Sequence, residues 1–450
     1  MADDKYDSDH RDYKTPDGQT EPSLFDHWNS LTFEQKLTEF FSLPREDAEE
    51  IFLSLTSSEQ HDLIQNLGNL QRRSWIRLLP PDDAADLIQQ FPHEDRARVL
   101  ALLDLTTMKE VVALLAYAED DAGGLMNPRF LRLRPDVPVD VAIRYIRAQS
   151  KAEVEMIHYV YVLDQHQVLL GAVSFRDLLL APTDRFVSEI MKTELITLPE
   201  DMDQEEVGRR FAQSGLSALP VIDKEGHMKG IVTLDDAVVV VEEEATEDMQ
   251  KLGGTEALDE PYLKVSLPQM IRKRAGWLTV LFIGEMFTAT AMGYFEDEIK
   301  RAVVLALFIP LIISSGGNSG SQATSLVIRS LALRELRLKD WWRVLRRELA
   351  VGTILGLILG SIGWVRILIW PNRESLYGEH ALWIAATVSL SLIGVVLWGS
   401  VAGSMLPFFL RKVGFDPATA SAPLVATLVD VTGLVIYFTL ASVMLSGLIL

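Results

Sequence analysis

Five long apolar segments in residues 251–450 constrain this chain more than any other feature. They lie at about 275–295, 301–328, 349–370, 381–410 and 418–448. Each reaches the ~20 residues that a helix needs to cross the hydrocarbon core of a bilayer. Buried helices of soluble domains are rarely so long and so numerous. The pattern therefore predicts a transmembrane domain of five α-helices over residues 267–450.

Basic residues near these segments predict their orientation, because Lys and Arg are enriched in cytoplasmic loops. Three basic groups fall on one side of the membrane if the N-terminus is cytoplasmic, which places the C-terminus outside after five spans. Lys300 and Arg301 fall on the other side, beside three acidic residues. The three groups are Arg272, Lys273 and Arg274; Arg329, Arg334, Arg337, Lys339, Arg343, Arg346 and Arg347; and Arg411 and Lys412.

Charge is divided unevenly along the chain. Residues 1–250 carry 49 acidic and 24 basic side chains, whereas residues 251–450 carry 14 and 18. An acidic surface attracts cations and disfavours nucleic acid. The absence of cysteine from the chain excludes disulfides and thiolate metal sites, and it fits a soluble part that faces the cytoplasm. Residues 1–22 are polar and lack the apolar stretch of a signal peptide, so we predict a disordered tail.

Ionisable side chains inside the apolar segments each cost about 3 kcal/mol on insertion scales and so require a reason. Asp430 lies mid-segment, with small or polar residues on the same helical face, which favours a water-lined path. Glu285 suits a pore role and a hydrogen bond to another helix equally well. Arg366 lies near a segment end, where its side chain can reach the interface.

The second segment contains SSGGNSGSQAT at 314–324, a composition that a membrane helix tolerates where it faces water or packs closely. Asn318 and Gln322 are four residues apart and share one helix face, which offers amide oxygens to a cation. Gly316 and Gly317 lie beside them and are predicted, with Asn318, to belong to the ion-binding pore. Helix packing alone is the alternative interpretation of this motif.

Residues 125–245 contain an internal repeat. YVYVLDQHQVLLGAVSFRDLL (159–179) matches ALPVIDKEGHMKGIVTLDDAV (218–238). In each copy a strand, a turn and a second strand lead to Ser or Thr three residues before Asp. The repeat resembles a tandem pair of cystathionine-β-synthase (CBS) domains, an α/β fold, here at 123–183 and 184–240. The resemblance implies a module that binds adenosine nucleotides or metal ions. The implied ribose contacts are Ser174, Asp177, Thr233 and Asp236, for which helix capping alone is the alternative.

An all-α superhelical N-domain is predicted for residues 23–122. PREDAEEIFLSL, PPDDAADLIQQF and PHEDRARVLALL, which begin at 44, 80 and 92, share a Pro-x-[Glu/Asp]-Asp start, typical of a helix N-terminus. Residues 241–266 are predicted to form an acidic connecting helix. Its acids at 244, 247 and 248 converge on one face and repel one another unless a cation lies between them.

The order of these domains resembles the MgtE family of magnesium channels and transporters. The motifs that carry the resemblance are AEDDAGGLM (118–126), EEEATEDMQKLG (242–253), GGNSGSQAT (316–324) and DPATASAPLVATLVDVTGL (416–434). The likeness covers about residues 30–450. It implies a homodimer in a prokaryotic inner membrane, with a pore on the two-fold axis lined by the second and fifth spans. Asp430 then holds hydrated Mg²⁺, and Asp416 lies near the cytoplasmic mouth.

The same resemblance implies regulatory Mg²⁺ ligands in the cytosolic part. They fall on Glu50, Asp82, Asp86, Gly124 (backbone), Asp203, Glu205, Asp236, Glu244, Glu247 and Asp248. Some positions depart from the family pattern. Gly215 and Val239 replace aspartates of some members, Ala422 replaces a pore asparagine, and Glu285 replaces a small residue.

The sequence therefore predicts a Mg²⁺ channel or transporter that cytosolic Mg²⁺ closes, with adenosine nucleotide as a second ligand of the CBS pair. Transport of another divalent cation is the alternative. An enzyme is disfavoured, because residues 251–450 contain one histidine, His380, and no His-Glu-x-x-His or phosphate-binding Gly-x-x-x-x-Gly-Lys motif. An anion channel is disfavoured by the acid in the fifth span.

Overall fold

The computed structural model describes residues 28, 31–149, 158–258, 262–263, 265–371 and 377–446. Its contacts divide the chain into two units, Met1–Glu242 and Glu243–Leu450. The predicted disordered tail at 1–22 lies outside the described residues. Each unit has a separate hydrophobic core.

Within the described residues, seven short helices with given bounds follow one another over 33–114 in the first unit, as the repeated helix starts predict. Pro44, Pro80 and Pro92 each precede a helix, and acidic residues follow in the first turn. The fixed backbone angle of proline and the favourable field at a helix N-terminus explain these starts. The helices are α1 (Phe33–Phe40), α2 (Arg45–Ser54), α3 (Ser57–Gln65), α4 (Asn69–Ile76), α5 (Pro81–Gln89), α6 (His93–Leu100) and α7 (Leu105–Leu114).

Within the described residues, two three-stranded sheets follow, one for each predicted CBS unit. In each sheet the first strand pairs parallel with the second, which pairs antiparallel with the third. The register shifts after Val162 in one sheet and after Val221 in the other, so the two copies share this irregularity. The strands are β1 (Arg132–Leu133), β2 (Tyr159–Leu163), β3 (Leu169–Ser174), β4 (Leu198–Pro199), β5 (Ala218–Ile222) and β6 (Met228–Thr233).

One buried cluster joins the second CBS copy to the N-terminal helices. Ile88 of α5, Val111 of α7 and Leu219 of β5 belong to one buried cluster. That shared core places α5 beside the start of the long helix that leaves β6. The helices of this region are α8 (Val139–Gln149), α9 (Phe175–Leu180), α10 (Val187–Ile190), α11 (Gln204–Ser214) and α12 (Leu234–Leu252).

Among its described residues, the second unit contains five helices that are long and apolar enough to cross a membrane, as the sequence predicts. A short helix, α14 (Glu296–Arg301), lies between the first two. A 3₁₀ turn at Val303–Phe308 leads into the second. The five are α13 (Leu267–Tyr294), α15 (Ile309–Ala332), α16 (Trp341–Leu368), α17 (Ala381–Val413) and α18 (Ala422–Leu445).

Several boundaries of these helices differ from the prediction. α16 begins at Trp341 rather than near 349, so Arg343, Arg346 and Arg347 lie on its first turns instead of in a loop. Hydropathy alone misses such a basic start, although Arg has a high helix propensity. Pro310 and Pro423 lie in the first turns of α15 and α18, where proline leaves the helix intact.

Small residues allow the membrane helices to approach closely. A Cβ atom at Gly356 of α16 would lie 2.8 Å from the Cα of Ile393 in α17. Ser319 of α15 and Ser400 of α17 are hydrogen-bonded through their hydroxyls at 2.7 Å, and both are buried. Close backbone contact and interhelical hydrogen bonds are typical of helix association in membranes.

Candidate ion-binding sites

Asp430 is the acidic residue in the middle of α18. Its side chain is partly buried, and its Oδ1 would lie 3.3 Å from a Cβ atom at Gly317 of α15. Within the described residues the carboxylate has neither a hydrogen bond nor an ion pair. A carboxylate without a partner is costly in an apolar environment. The position therefore suits an ion or ordered water between α15 and α18.

The α15 motif has a packed face and an open face. Gly316 is buried between Val395 and Val429, so it allows α15, α17 and α18 to pack together. Asn318 is exposed, and its amide donates to Ser314 Oγ at 3.3 Å. The amide oxygen of Asn318 therefore belongs to the open face, where a ligand can reach it.

Asp416 is the N-cap residue of the turn before α18, and its carboxylate joins two elements. Its Oδ1 accepts from the backbone N–H of Ala418 at 2.8 Å. Its Oδ2 accepts from Lys251 Nζ of α12 at 2.9 Å, and Lys251 also pairs with Glu247. Burial alone would lower the pKa of Lys251, but the carboxylates of Glu247 and Asp416 hold it above its ordinary value.

Lys251 therefore lies between two predicted Mg²⁺-binding acids, a role that the sequence did not reveal. Glu247 and Asp416 are on different elements, and the Lys251 ammonium neutralises part of their mutual repulsion. The contact between Lys251 and Asp416 spans 165 positions, so no local pattern identifies it. Glu244 and Asp248 lie on α12 with Glu247, at the helical spacing that the sequence predicts.

A second acidic group lies in the first unit, where α5 meets the start of α12. Asp82 is buried and accepts from Asn127 Nδ2 at 3.2 Å. Burial and then the charges of Asp236 and Asp235 raise the pKa of Asp83 to about 6. Burial also raises the pKa of Asp236, although the hydrogen bond from Thr233 opposes that shift.

The structure thus brings α5 acids and α12 acids together, and a cation site between them stays a prediction. Asp82 and Asp236 were predicted, whereas Asp83 and Asp235 were not. The signal was present in the sequence, because each is adjacent to a predicted ligand in an Asp-Asp pair. Asp86 lies one turn after Asp82 on α5. Glu50 is exposed on α2 and makes no hydrogen bond or ion pair within the described part of the chain.

Gly124 and Asp203 lie on two segments that hydrogen-bond to each other. Ala122 N donates to Met202 O at 2.7 Å, and Gln204 N donates to Asp120 O at 2.8 Å. A Cβ atom at Gly124 would lie 2.4 Å from the carbonyl oxygen of Ala118, so the backbone requires glycine there.

The side chains near Gly124 already have protein partners. Asp203 caps α11 by accepting from Glu205 N at 3.0 Å. The Glu205 carboxylate forms an ion pair with Arg209. A cation at this position therefore competes with Arg209 for Glu205.

The predicted nucleotide contacts act as helix caps. Ser174 Oγ accepts from Asp177 N at 3.0 Å, and Thr233 Oγ1 donates to the Asp236 carboxylate. These hydrogen bonds account for the Ser/Thr-x-x-Asp spacing by local structure. Nucleotide binding at these residues stays a prediction.

One further group of metal-binding side chain types lies in the turn between β5 and β6. Asp223, Glu225 and His227 lie close together there. Asp223 Oδ2 accepts from His227 Nδ1 at 2.9 Å and from Lys229 Nζ at 3.0 Å. The lysine supplies the positive charge, so we interpret the group as part of the turn.

Comparison with known proteins agrees with this arrangement of domains. Family models match residues 21–120 as an MgtE intracellular N domain, 122–184 and 187–243 as CBS domains, and 309–440 as an MgtE divalent cation transporter. The magnesium transporter MgtE of Thermus thermophilus is 38% identical over 423 residues, which cover 93% of this chain and 92% of that protein.

A second relative and one solved structure are also similar to this chain. The magnesium transporter MgtE of Bacillus subtilis is 30% identical, over 86% of this chain and 83% of that protein. A crystal structure of the cytosolic domain of the Mg²⁺ channel MgtE in complex with ATP is 36% identical. It covers 48% of this chain and 88% of that chain, with a TM-score of 0.45.

The helical N-domain, the CBS pair and the five apolar helices define a multi-pass membrane protein with a cation-transporter domain. The chain belongs to the MgtE family.

Proposed function

We propose that this chain transports Mg²⁺ into the cell as a homodimer, through a pore lined by α15 and α18 of both subunits. The observation that carries the proposal is Asp430, an acid without a protein partner among the described residues, set against Gly317 in an apolar helix. An intramembrane carboxylate of this kind is a default candidate for an ion site. The magnesium transporters that align over most of the chain support the choice of ion.

The chemistry of Mg²⁺ fits this residue set. Mg²⁺ binds oxygen ligands and loses its water reluctantly, so proteins often hold it through several retained waters. Two symmetry-related Asp430 carboxylates supply charge, and the Asn318 amide oxygens supply hydrogen-bond acceptors for bound water. Selection then depends on charge and on the size of the hydrated ion, rather than on a close-fitting cage.

We further propose that cytosolic Mg²⁺ closes the pore. The acids of α5 and of the first turn of α12 form one predicted regulatory site, and the acids at 244, 247 and 248 form another. Mg²⁺ neutralises the repulsion within each group and so favours the compact arrangement. By linkage, Mg²⁺ then binds the closed state more tightly than the open state.

The proposed topology has a cytoplasmic N-terminus and an outside C-terminus, which the distribution of Arg and Lys supports. Transport, rather than catalysis, is the activity that the transporter domain supports. Transport of another divalent cation is the alternative, and competition uptake with Mn²⁺, Co²⁺ and Ca²⁺ distinguishes the two.

Mg²⁺ uptake by Asp430→Asn and Asp430→Ala tests the pore proposal. Both variants remove the carboxylate, and Asp430→Asn keeps its shape. We expect uptake into proteoliposomes to fall at least about tenfold, since the proposed ion site loses its charge. Asp297→Asn, on exposed α14, is the matched control and should retain uptake. Normal uptake by Asp430→Asn would disprove the assigned role of Asp430.

A further inference from the structure

Two helix contacts place Glu285 near Asp430. Trp277 Nε1 of α13 donates to Ser421 Oγ, the N-cap of α18, at 3.2 Å. Seven residues further along α13, a Cβ atom at Gly284 would lie 2.8 Å from Thr427 Cγ2. Both contacts advance in the same chain direction, so α13 and α18 run parallel. Glu285 follows Gly284, and Asp430 lies about one turn beyond Thr427.

Glu285 lies close enough to Asp430 for their charges to interact. It is exposed on α13, and its carboxylate has no hydrogen bond or ion pair within the described residues. The sequence allowed two roles for Glu285, a pore role and a hydrogen bond to another helix. The hydrogen bond is not observed for its side chain. Two carboxylates that share no protein cation repel each other, and an apolar surrounding strengthens that repulsion.

We infer that Glu285 is a specificity-determining residue of the transport site, where it adds a second carboxylate beside Asp430 in each subunit. The inference rests on the proposed function of Asp430 as the ion-holding residue. A two-fold dimer then presents four carboxylates to the passing cation instead of two. The two carboxylates bind a cation in transit. That cation balances their negative charge, which no residue of the described chain balances.

The second carboxylate changes selectivity because its attraction scales with ion charge. The Coulomb energy of Mg²⁺ beside Glu285 is twice that of Na⁺ or K⁺ at the same distance. Removing the charge therefore weakens the holding of the divalent ion more than that of the monovalent ion. It should also speed release at saturating Mg²⁺, since a weaker site empties faster.

Glu285→Gln tests this inference, because it removes the charge and keeps the side-chain shape. In proteoliposomes of the full chain we expect the KM for Mg²⁺ uptake to rise about tenfold, which is about 1.4 kcal/mol. The permeability ratio of Mg²⁺ to K⁺ should fall, and Glu285→Asp should restore most of both. Glu298→Gln, on α14 outside the five apolar helices, is the matched control and should match wild type. An unchanged KM and an unchanged permeability ratio in Glu285→Gln would overturn the inference.

The lack of cysteine in the chain allows a second test that does not depend on transport. A cysteine at Glu285 should react with a charged, membrane-impermeant thiol reagent, and Mg²⁺ should slow that reaction. Ile283→Cys is the matched control, because residue 283 is exposed about 200° around α13 from residue 285. The cysteine of this control should stay unreactive, because it lies in lipid. Equal reactivity at 283 and 285, or no effect of Mg²⁺ at 285, would contradict the assignment.

Different results would disprove the pore role of Asp430 and the added role of Glu285. If Asp430→Asn transports normally, the pore assignment is wrong and Glu285 loses its context. If Asp430→Asn abolishes uptake while Glu285→Gln keeps the wild-type KM and permeability ratio, the pore assignment stands and the role of Glu285 is wrong.

Discussion

Two aspartates of the second unit show how environment separates the roles of one residue type. Asp416 is held by Lys251 and by the N–H of Ala418. Asp430 has no such partner within the described residues. The protein itself therefore balances the charge of the Asp416 carboxylate, whereas under the proposed function a mobile cation balances the charge of Asp430. Position near a positive side chain, more than residue type, distinguishes a structural acid from an ion-holding acid.

Lys251→Met should raise transport when no Mg²⁺ is present on the side of the soluble domains. The substitution keeps the length and apolar stem of Lys251 but removes the ion pairs that join α12 to Asp416. The Lys251 side chain is 28% exposed, so the pair contributes about 1 kcal/mol or less and the flux should rise no more than about fivefold. Stopped-flow Mg²⁺ flux measures the effect.

Lys300→Met is the control for that substitution, because Lys300 also pairs with a neighbouring carboxylate, Glu296 at 2.5 Å, but lies on α14. Its flux should match wild type. A Lys251→Met flux equal to that of wild type would mean that the ion pair does not restrain the pore.

The raised pKa of Asp83 predicts a pH-dependent stability in Mg²⁺-free buffer. Because the folded-state pKa is about 6 and the unfolded value is 3.8, the folded state binds more protons between these values. Stability should therefore fall as pH rises from about 4 to about 6, by at most about 3 kcal/mol. Asp83→Asn should remove this part of the loss and raise the Tm at pH 7.5.

Thermal unfolding of the full chain in detergent measures this effect. Asp184→Asn, which removes an exposed carboxylate at the boundary of the two CBS units, should leave the Tm unchanged. A lower Tm for Asp83→Asn at pH 7.5 would show that the Asp83 carboxylate stabilises the fold.

At the scale of elements, periodic patterns predicted helix existence well and helix limits less well. The Pro-Asp starts predicted α2, α5 and α6, since capping is a local effect of neighbouring residues. The basic start of α16 was missed, because hydropathy does not mark a helix that continues beyond its apolar part. The two CBS sheets followed from the repeat, since the same residue pattern specifies the same local pairing.

Contacts between distant elements were not predictable from the residues alone. The Lys251–Asp416 pair and the approach of Asp83 to Asp236 depend on which helices pack together. Both contacts join segments more than 150 positions apart. The sequence identifies the charged groups, but tertiary packing selects their partners.

Gly356→Leu should destabilise the packing of α16 against α17. The new side chain would begin 2.8 Å from Ile393 Cα, which is backbone and cannot move aside. Overpacking of this kind typically costs about 1–3 kcal/mol or more. The Tm and the fraction of monodisperse protein in detergent should both fall.

Gly293→Leu is the matched control on α13, where a Cβ atom would have no neighbour within 4 Å. It should retain the wild-type Tm, since added side-chain atoms meet open space. If both variants melted like wild type, the close approach of α16 and α17 would be wrong.

At the scale of the whole molecule, the acidic excess of residues 1–250 and the few intramembrane acids have separate roles in this account. The soluble acids gather where helices and domains meet, as Asp82, Asp83 and Asp236 do. Under the proposed function, such groups respond to Mg²⁺ concentration because a divalent cation relieves their repulsion. The intramembrane acids are instead proposed to contact the ion in transit.

The most direct test of this account is Mg²⁺ flux into liposomes while Mg²⁺ is varied on the side of the soluble domains. The wild-type flux should fall as that Mg²⁺ rises. In the combined variant Glu244→Gln, Glu247→Gln and Asp248→Asn, the Mg²⁺ concentration for half inhibition should rise at least about tenfold, while flux at zero Mg²⁺ is kept. Equal inhibition of the variant and the wild type would contradict the account.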